Sequence, residues 1–190
     1  MVESNMLIFN NDGLLEPGDH EMTFATLRKS LLVVGPTDGG IPGWSTSQRL
    51  KLVNQTEFLV HQLWQVSDQL GRGIIGDVFI AGSFVTDKPK PNDIDGYFGL
   101  DVKTVGISRL ARELNLVAPD PIWTWDWKQR IPYTGKPQLP MWMKHRVELF
   151  PHHEDISSGI FHHDGHEMTF AEAFRLTRDC KEKGIIKIIR

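Results

Sequence analysis

The sequence predicts an α/β (α+β) fold, a small mixed β-sheet with helices packed against it. Three observations carry that expectation. Residues 46–70 hold a long amphipathic helical pattern. Short apolar runs at 77–81, 93–98, 146–150 and 185–189 read as strands. Clusters of glycine, proline and serine separate these segments.

In chain order, Met6 to Phe9 reads as a short strand, followed by turns at Asn11-Asp12-Gly13 and Pro17-Gly18. Thr23 is placed to cap a helix from Phe24 to about Val33. Residues 35–43 contain four glycines and two prolines and are therefore loop. Ser45 or Ser47 then caps the long helix, whose stripe is Leu52, Leu59, Leu63, Val66 and Leu70, widened by Val53, Val60 and Trp64. Gly71-Arg72-Gly73 ends it. Asp77 to Ala81 is a buried strand, and Pro89 and Pro91 forbid a long helix after it. Asp93 to Phe98 is a second strand, and Ile107, Leu110 and Leu114 recur at helical spacing. Residues 119–140 are proline-rich and irregular, with a Trp123-x-Trp125-x-Trp127 alternation. Arg146 to Phe150 is a third strand, Thr169-Phe170-Ala171-Glu172 a capping box, and Ile185 to Ile189 a terminal strand. His20-Glu-Met-Thr-Phe-Ala25 recurs as His166-Glu-Met-Thr-Phe-Ala171, and threonine capping accounts for the second half of that echo.

Composition narrows the function. The 190 residues are 40% hydrophobic and 24% charged, with a net charge of −3, so a purely charge-driven binder of nucleic acid or membrane is disfavoured. One cysteine, Cys180, excludes an intramolecular disulfide and a zinc site built on cysteines. The first residues lack a signal peptide's basic start and apolar core, and no run approaches the ~20 residues of a membrane span. The expectation is a soluble, cytoplasmic protein without a membrane partner.

The chemistry lies in Phe79-Ile80-Ala81-Gly82-Ser83, a nine-residue spacer, and Asp93-Ile94-Asp95. Alternate strand residues share a face, so Asp93 and Asp95 point the same way, about 7 Å apart at Cα. Two adjacent carboxylates repel, and a divalent cation removes the conflict; all-oxygen ligation suits Mg²⁺. Glycine lets a backbone approach phosphate closely, and backbone N–H groups at such a turn bind anions. Lys88 and Lys90 lie in the spacer, where they can offset triphosphate charge.

These residues resemble the signature of the polymerase-β-like nucleotidyltransferase superfamily in its small single-domain form. That signature is an apolar residue, Gly-Gly or Gly-Ser, nine to thirteen residues, then Asp-apolar-Asp-apolar. The match covers residues 78–98, and Gly96 departs from it where an apolar residue is usual. The resemblance implies that superfamily's fold, with a catalytic core at 46–150, an N-terminal extension at 1–45 and a C-terminal extension at 151–190. It implies transfer of a nucleoside monophosphate from an NTP to a hydroxyl, with Asp93 and Asp95 holding Mg²⁺ or Mn²⁺. Glu148 matches the third acidic ligand, with Val147 and Leu149 on the opposite face. Gly82 and Ser83 would bind the β- and γ-phosphates, with Lys88 beside them. The acceptor would be RNA (a tRNA 3′ end) or a protein, in a toxin–antitoxin or phage-defence setting. The alternatives are a small-molecule acceptor of the antibiotic type, or a catalytically silent antitoxin-type binding module on the same fold.

Three further features compete for attention. His152, His153, His162, His163 and His166 cluster with Glu154 and Asp164, but without standard ligand spacing they read as a polar surface loop rather than a metal site. Trp123, Trp125, Trp127, Tyr133 and Trp142 read as an apolar face over the sheet, or as stacking surfaces for a base. From Lys128 to Val147 there are Lys128, Arg130, Lys136, Lys144 and Arg146 and no acidic residue. That stretch is either a solvated loop or a guide for a triphosphate or RNA end.

Overall fold

Strands from both halves of the chain form the central sheet. The computed structural model describes residues 7–36, 40–71, 73–133, 138–154 and 156–190. Its strands are Asp19–Met22 (β1), Ile75–Ala81 (β2), Ile94–Leu100 (β3), Val147–His152 (β4), Ile160–Phe161 (β5), Glu167–Met168 (β6) and Ile185–Ile188 (β7). Its helices are Phe24–Leu27 (α1), Leu31–Val34 (α2), Thr46–Leu70 (α3), Ile107–Val117 (α4), Pro140–His145 (α5) and Phe170–Phe174 (α6). Five strands make one mixed sheet in the order β1-β7-β2-β3-β4, and β5 and β6 form a separate hairpin. The pairs β1/β7 and β3/β4 are parallel, while β2/β3 and β2/β7 are antiparallel. The architecture is α+β, a mixed sheet with flanking helices.

Period-two alternation decides which residues meet which layer. Val78, Ile80, Ile94, Phe98, Val147, Leu149, Ile186 and Ile188 join the main core, which includes the buried face of α3. Ala81, Tyr97 and Ile185 face the other way, with Phe79 and Phe150, and pack against Phe170 and Phe174 of α6. Ser45 caps α3 by accepting from the Gln48 N–H at 3.4 Å, and Gly71 ends that helix. Among the described residues, no helix is long and apolar enough to cross a membrane.

Several elements differ from expectation. The helix after Thr23 is interrupted, because Ser30 takes an extended backbone and its hydroxyl donates to Leu27 O. Phe9 forms only an isolated bridge with Leu15, and Met6 lies outside the described residues. The HEMTFA echo becomes two strand–cap–helix junctions: Met22 and Met168 end strands, Thr23 and Thr169 cap, and Phe24 and Phe170 are buried helix starts. The irregular segment after Pro119 gains α5, with Pro140 in its first turn, where a missing N–H does no harm. Gly96 lies in mid-strand because the strands leave no room; a Cβ there would stand 2.3 Å from Phe79 O and 3.0 Å from Leu149 Cδ2.

Candidate active site

The site forms where the end of β2 meets the starts of β3 and β4. Asp95 pairs with Ala81 on one side and with Glu148 on the other. Ile94, Val147 and Leu149 point into the main core, so Asp95 and Glu148 share the opposite face. Gly82 opens a 3-10 turn, Gly82–Val85, with φ at +71°. A Cβ on Gly82 would lie 2.5 Å from Asp95 Oδ2, so only glycine fits above this carboxylate. Ser83 is half-buried in the same turn, and its carbonyl accepts from Thr86 Oγ1 at 2.8 Å.

Each acid is held separately. Asp93 precedes β3 and accepts from Trp142 Nε1 at 2.8 Å. Arg146, at φ +57° after α5, stacks its guanidinium 3.9 Å over the Trp142 ring. Glu148 is only 5% exposed, accepts from the Leu139 N–H at 3.3 Å, and its charge supports the Arg130 guanidinium against desolvation. Among the described residues, the groups of three or more His, Cys, Asp and Glu side chains whose ligand atoms lie within 4.8 Å of one another are His162, His163 and Cys180, and His162, Asp164 and His166; Asp93, Asp95 and Glu148 are not among them. Register therefore unites Asp95 and Glu148, while Trp142 anchors Asp93 just ahead of β3.

Two contributors, Lys183 and Arg49, escaped the sequence reading. Lys183, just before β7, is buried and donates from Nζ to Gly82 O at 3.2 Å. Burial pushes its pKa down, and the nearby Asp95 charge opposes that shift. Arg49 of α3 is fully buried and donates to the carbonyls of Leu32, Phe84, Thr86 and Lys88, clamping the spacer between Ser83 and Asp93. Burial lowers its pKa to about 10, so it stays charged at neutral pH. Arg130, from the basic stretch, reaches the same cavity as Glu148. Neither Lys183 nor Arg49 carries a local motif; each is brought in by tertiary packing.

A cavity of about 620 Å³ opens on Asp95, Glu148 and Arg130, with Phe150, Phe170 and Phe174 as its apolar wall. Lys88 is exposed on the spacer and does not line it. A second cavity, about 830 Å³, lies on the Asn92 side and is lined by Lys51, Lys144, His145, Arg146, Tyr133 and Trp142 among others. Two members of the tryptophan cluster serve the core, since Trp123 Nε1 donates to Gln62 Oε1 and Trp125 Nε1 to Leu149 O, both at 2.7 Å. Tyr133 and Trp142 instead flank Arg146. In the basic stretch Lys144 pairs with Asp120, and Lys136 and the Trp127 side chain lie outside the described residues. Within the histidine cluster, Cys180 Sγ lies 3.6 Å from His163 Nδ1. Folding joins these residues although they lie far apart in the chain.

The carboxylate donor set is all oxygen, which suits Mg²⁺, and the Gly82 cradle keeps backbone rather than side chain above Asp95. No curated protein and no solved structure matches the chain. A family described as "Family of unknown function (DUF6932)" matches residues 7–189, nearly the whole length, and the chain belongs to that family.

Proposed function

We propose that this chain is a metal-dependent nucleotidyltransferase that moves a nucleoside monophosphate from an NTP to a hydroxyl acceptor, on the polymerase-β-like fold its motif resembles. The observation that carries the reading is the juxtaposition of Gly82, Asp95 and Glu148. A glycine turn packed on one carboxylate, with a second in register on a parallel strand, suits the handling of a polyphosphate between metal and backbone.

Asp93, Asp95 and Glu148 would hold Mg²⁺, or Mn²⁺ in its place. When bound, the ion supplies charge neutralisation to the triphosphate and lowers the pKa of the attacking hydroxyl. Gly82 and Ser83 present backbone N–H groups to the β- and γ-phosphates, and Lys183 adds a positive charge beneath them. Glu148 accepts the acceptor's proton as a new bond forms to the α-phosphorus and the bond to pyrophosphate breaks. The cavity beside Lys51 and Arg146, with the exposed Tyr133 ring for stacking, supports RNA as the acceptor, with a protein hydroxyl the alternative.

One observation favours a second reading, a catalytically silent binding module. Lys183 lies buried within reach of the Asp95 charge, a side chain that can pair with that acid without a metal. Labelled NTPs incubated with the protein, Mg²⁺, total tRNA and cell lysate separate the two. Transfer of label that Asp95→Asn abolishes supports the enzyme. NTP binding with no transfer at any divalent ion supports the silent module.

A further inference from the structure

We propose that His162, His163 and Cys180 form a binding site for one zinc-class divalent transition-metal ion, clasping the β5–β6 hairpin to the loop before β7. The inference is independent of the nucleotidyltransferase reading and uses none of its residues.

The ligand atoms of these three residues lie within 4.8 Å of one another. A tetrahedral zinc, with Zn–S about 2.3 Å and Zn–N about 2.05 Å, sets its sulfur and nitrogen ligands about 3.6 Å apart. Cys180 Sγ and His163 Nδ1 stand at 3.6 Å. Neighbouring residues of a regular strand point to opposite faces, yet at this hairpin tip the His162 and His163 rings converge to 3.9 Å between centroids. Cys180 takes a left-handed backbone at φ +56°, uncommon for a side chain of its type, and that turn aims its thiol at His163.

The surroundings match a metal's second shell. His162 Nδ1 lies 3.1 Å from Asp164 Oδ1. Asp164 Oδ1 also accepts from His166 Nδ1 at 2.7 Å. A carboxylate set behind imidazoles orients them and raises their basicity toward a cation. Two imidazoles and a thiolate select a borderline-soft ion, zinc or cobalt, over the Mg²⁺ that a carboxylate set prefers. Binding releases the Cys180 thiol proton to solvent and leaves a thiolate on the metal.

The clasp has structural work to do. Strands β5 and β6 are two residues each, too short to hold a hairpin in water unaided. His163 and Cys180 also line the cavity that opens on Asp95 and Glu148, so the ion would fix one wall of that cavity.

Titration of the full chain with Co²⁺, followed by Zn²⁺ competition against a chromophoric chelator, tests the proposal. A thiolate-to-cobalt charge-transfer band in the near ultraviolet, with the visible bands of tetrahedral cobalt, is expected to saturate at one equivalent, and cobalt taken up by carboxylates gives no thiolate band. Zn²⁺ displaces it. Cys180→Ser and His163→Gln, checked for folding by circular dichroism, should each weaken binding at least tenfold, and Asp164→Asn about tenfold through the second shell. Asp95→Asn should leave it unchanged. A wild-type cobalt complex with no thiolate band overturns the site without recourse to any variant, as does full affinity in Cys180→Ser. Because the readout is spectroscopic, it stands or falls whether or not Mg²⁺-dependent transfer is ever observed.

Discussion

Gly82 and Asp95 are in contact through a glycine that cannot be anything else: a Cβ at residue 82 would sit 2.5 Å from Asp95 Oδ2 and 3.1 Å from its Cβ. The two meet because β2 ends at Ala81, the register partner of Asp95, and the chain then turns back over the carboxylate with φ at +71°. The turn and the acid are therefore one structural unit.

Gly82→Ala should lose NTP binding and destabilise the fold by about 1–3 kcal/mol, from left-handed strain and the clash together. Combining it with Asp95→Ala should recover part of that loss, because the 2.5 Å clash is removed while the 3.1 Å approach to the residue 95 Cβ and the backbone strain remain. Urea midpoints of the two single variants and the double variant measure the coupling. Strict additivity would show that the contact is not the source.

Arg49→Met should destabilise by about 3–5 kcal/mol, since four carbonyls lose a buried donor at once. Arg49→Lys should recover little, as an ammonium cannot reproduce the planar fork. Urea unfolding reads the stability. Crosslinking or proteolysis at the 84–92 spacer reads its loosening.

Lys183 gives a pH signature at the alkaline end. Burial lowers its folded pKa below the ordinary value of 10.5, so the unfolded chain binds the proton more tightly. The penalty for burying the charge is full below the folded pKa and disappears as pH rises toward 10.5, so stability contributed by this group increases over that interval. Lys183→Met should remove that rise. It should also weaken all four NTPs by a similar factor, because the triphosphate is common to them. Wild-type and variant unfolding curves across alkaline pH check the first expectation, calorimetry the second.

His145 acts at the acid end. It is 8% exposed, bonded to Gln55 Oε1 through Nδ1, and burial with the Lys144 charge pushes its pKa below 6.5. The neutral ring is favoured on folding, so its stability is present above 6.5 and is lost as pH falls through the unfolded value toward the folded one. His145→Asn should lower stability at neutral pH and flatten the acid slope. An unchanged slope would assign the acid sensitivity elsewhere, and His152, lowered by burial on the far side of the sheet, is the next group to replace.

Much of the site was legible because its signals are local. The apolar run before Gly82 fixed a strand, and alternation set Asp95 and Glu148 on the face opposite Ile94, Val147 and Leu149. Ser45, Thr23 and Thr169 declared helix starts through cap chemistry that spans three residues. Lys183, Arg49 and Cys180 had no such signal. An isolated lysine or arginine looks the same in sequence whether solvated or buried, and its burial depends on which distant carbonyls fold around it.

The sequence by itself determined the caps, the long helix, the parity of the strands and the Gly82–Asp95 motif, since each follows from the covalent geometry of a few neighbouring residues. Tertiary structure alone decided that β7 lies between β1 and β2, that Glu148 stands beside Asp95, and that Lys183 lies under Gly82. Strand order is set by burying apolar faces over the whole chain at once, a sum of many small long-range terms that no local window contains.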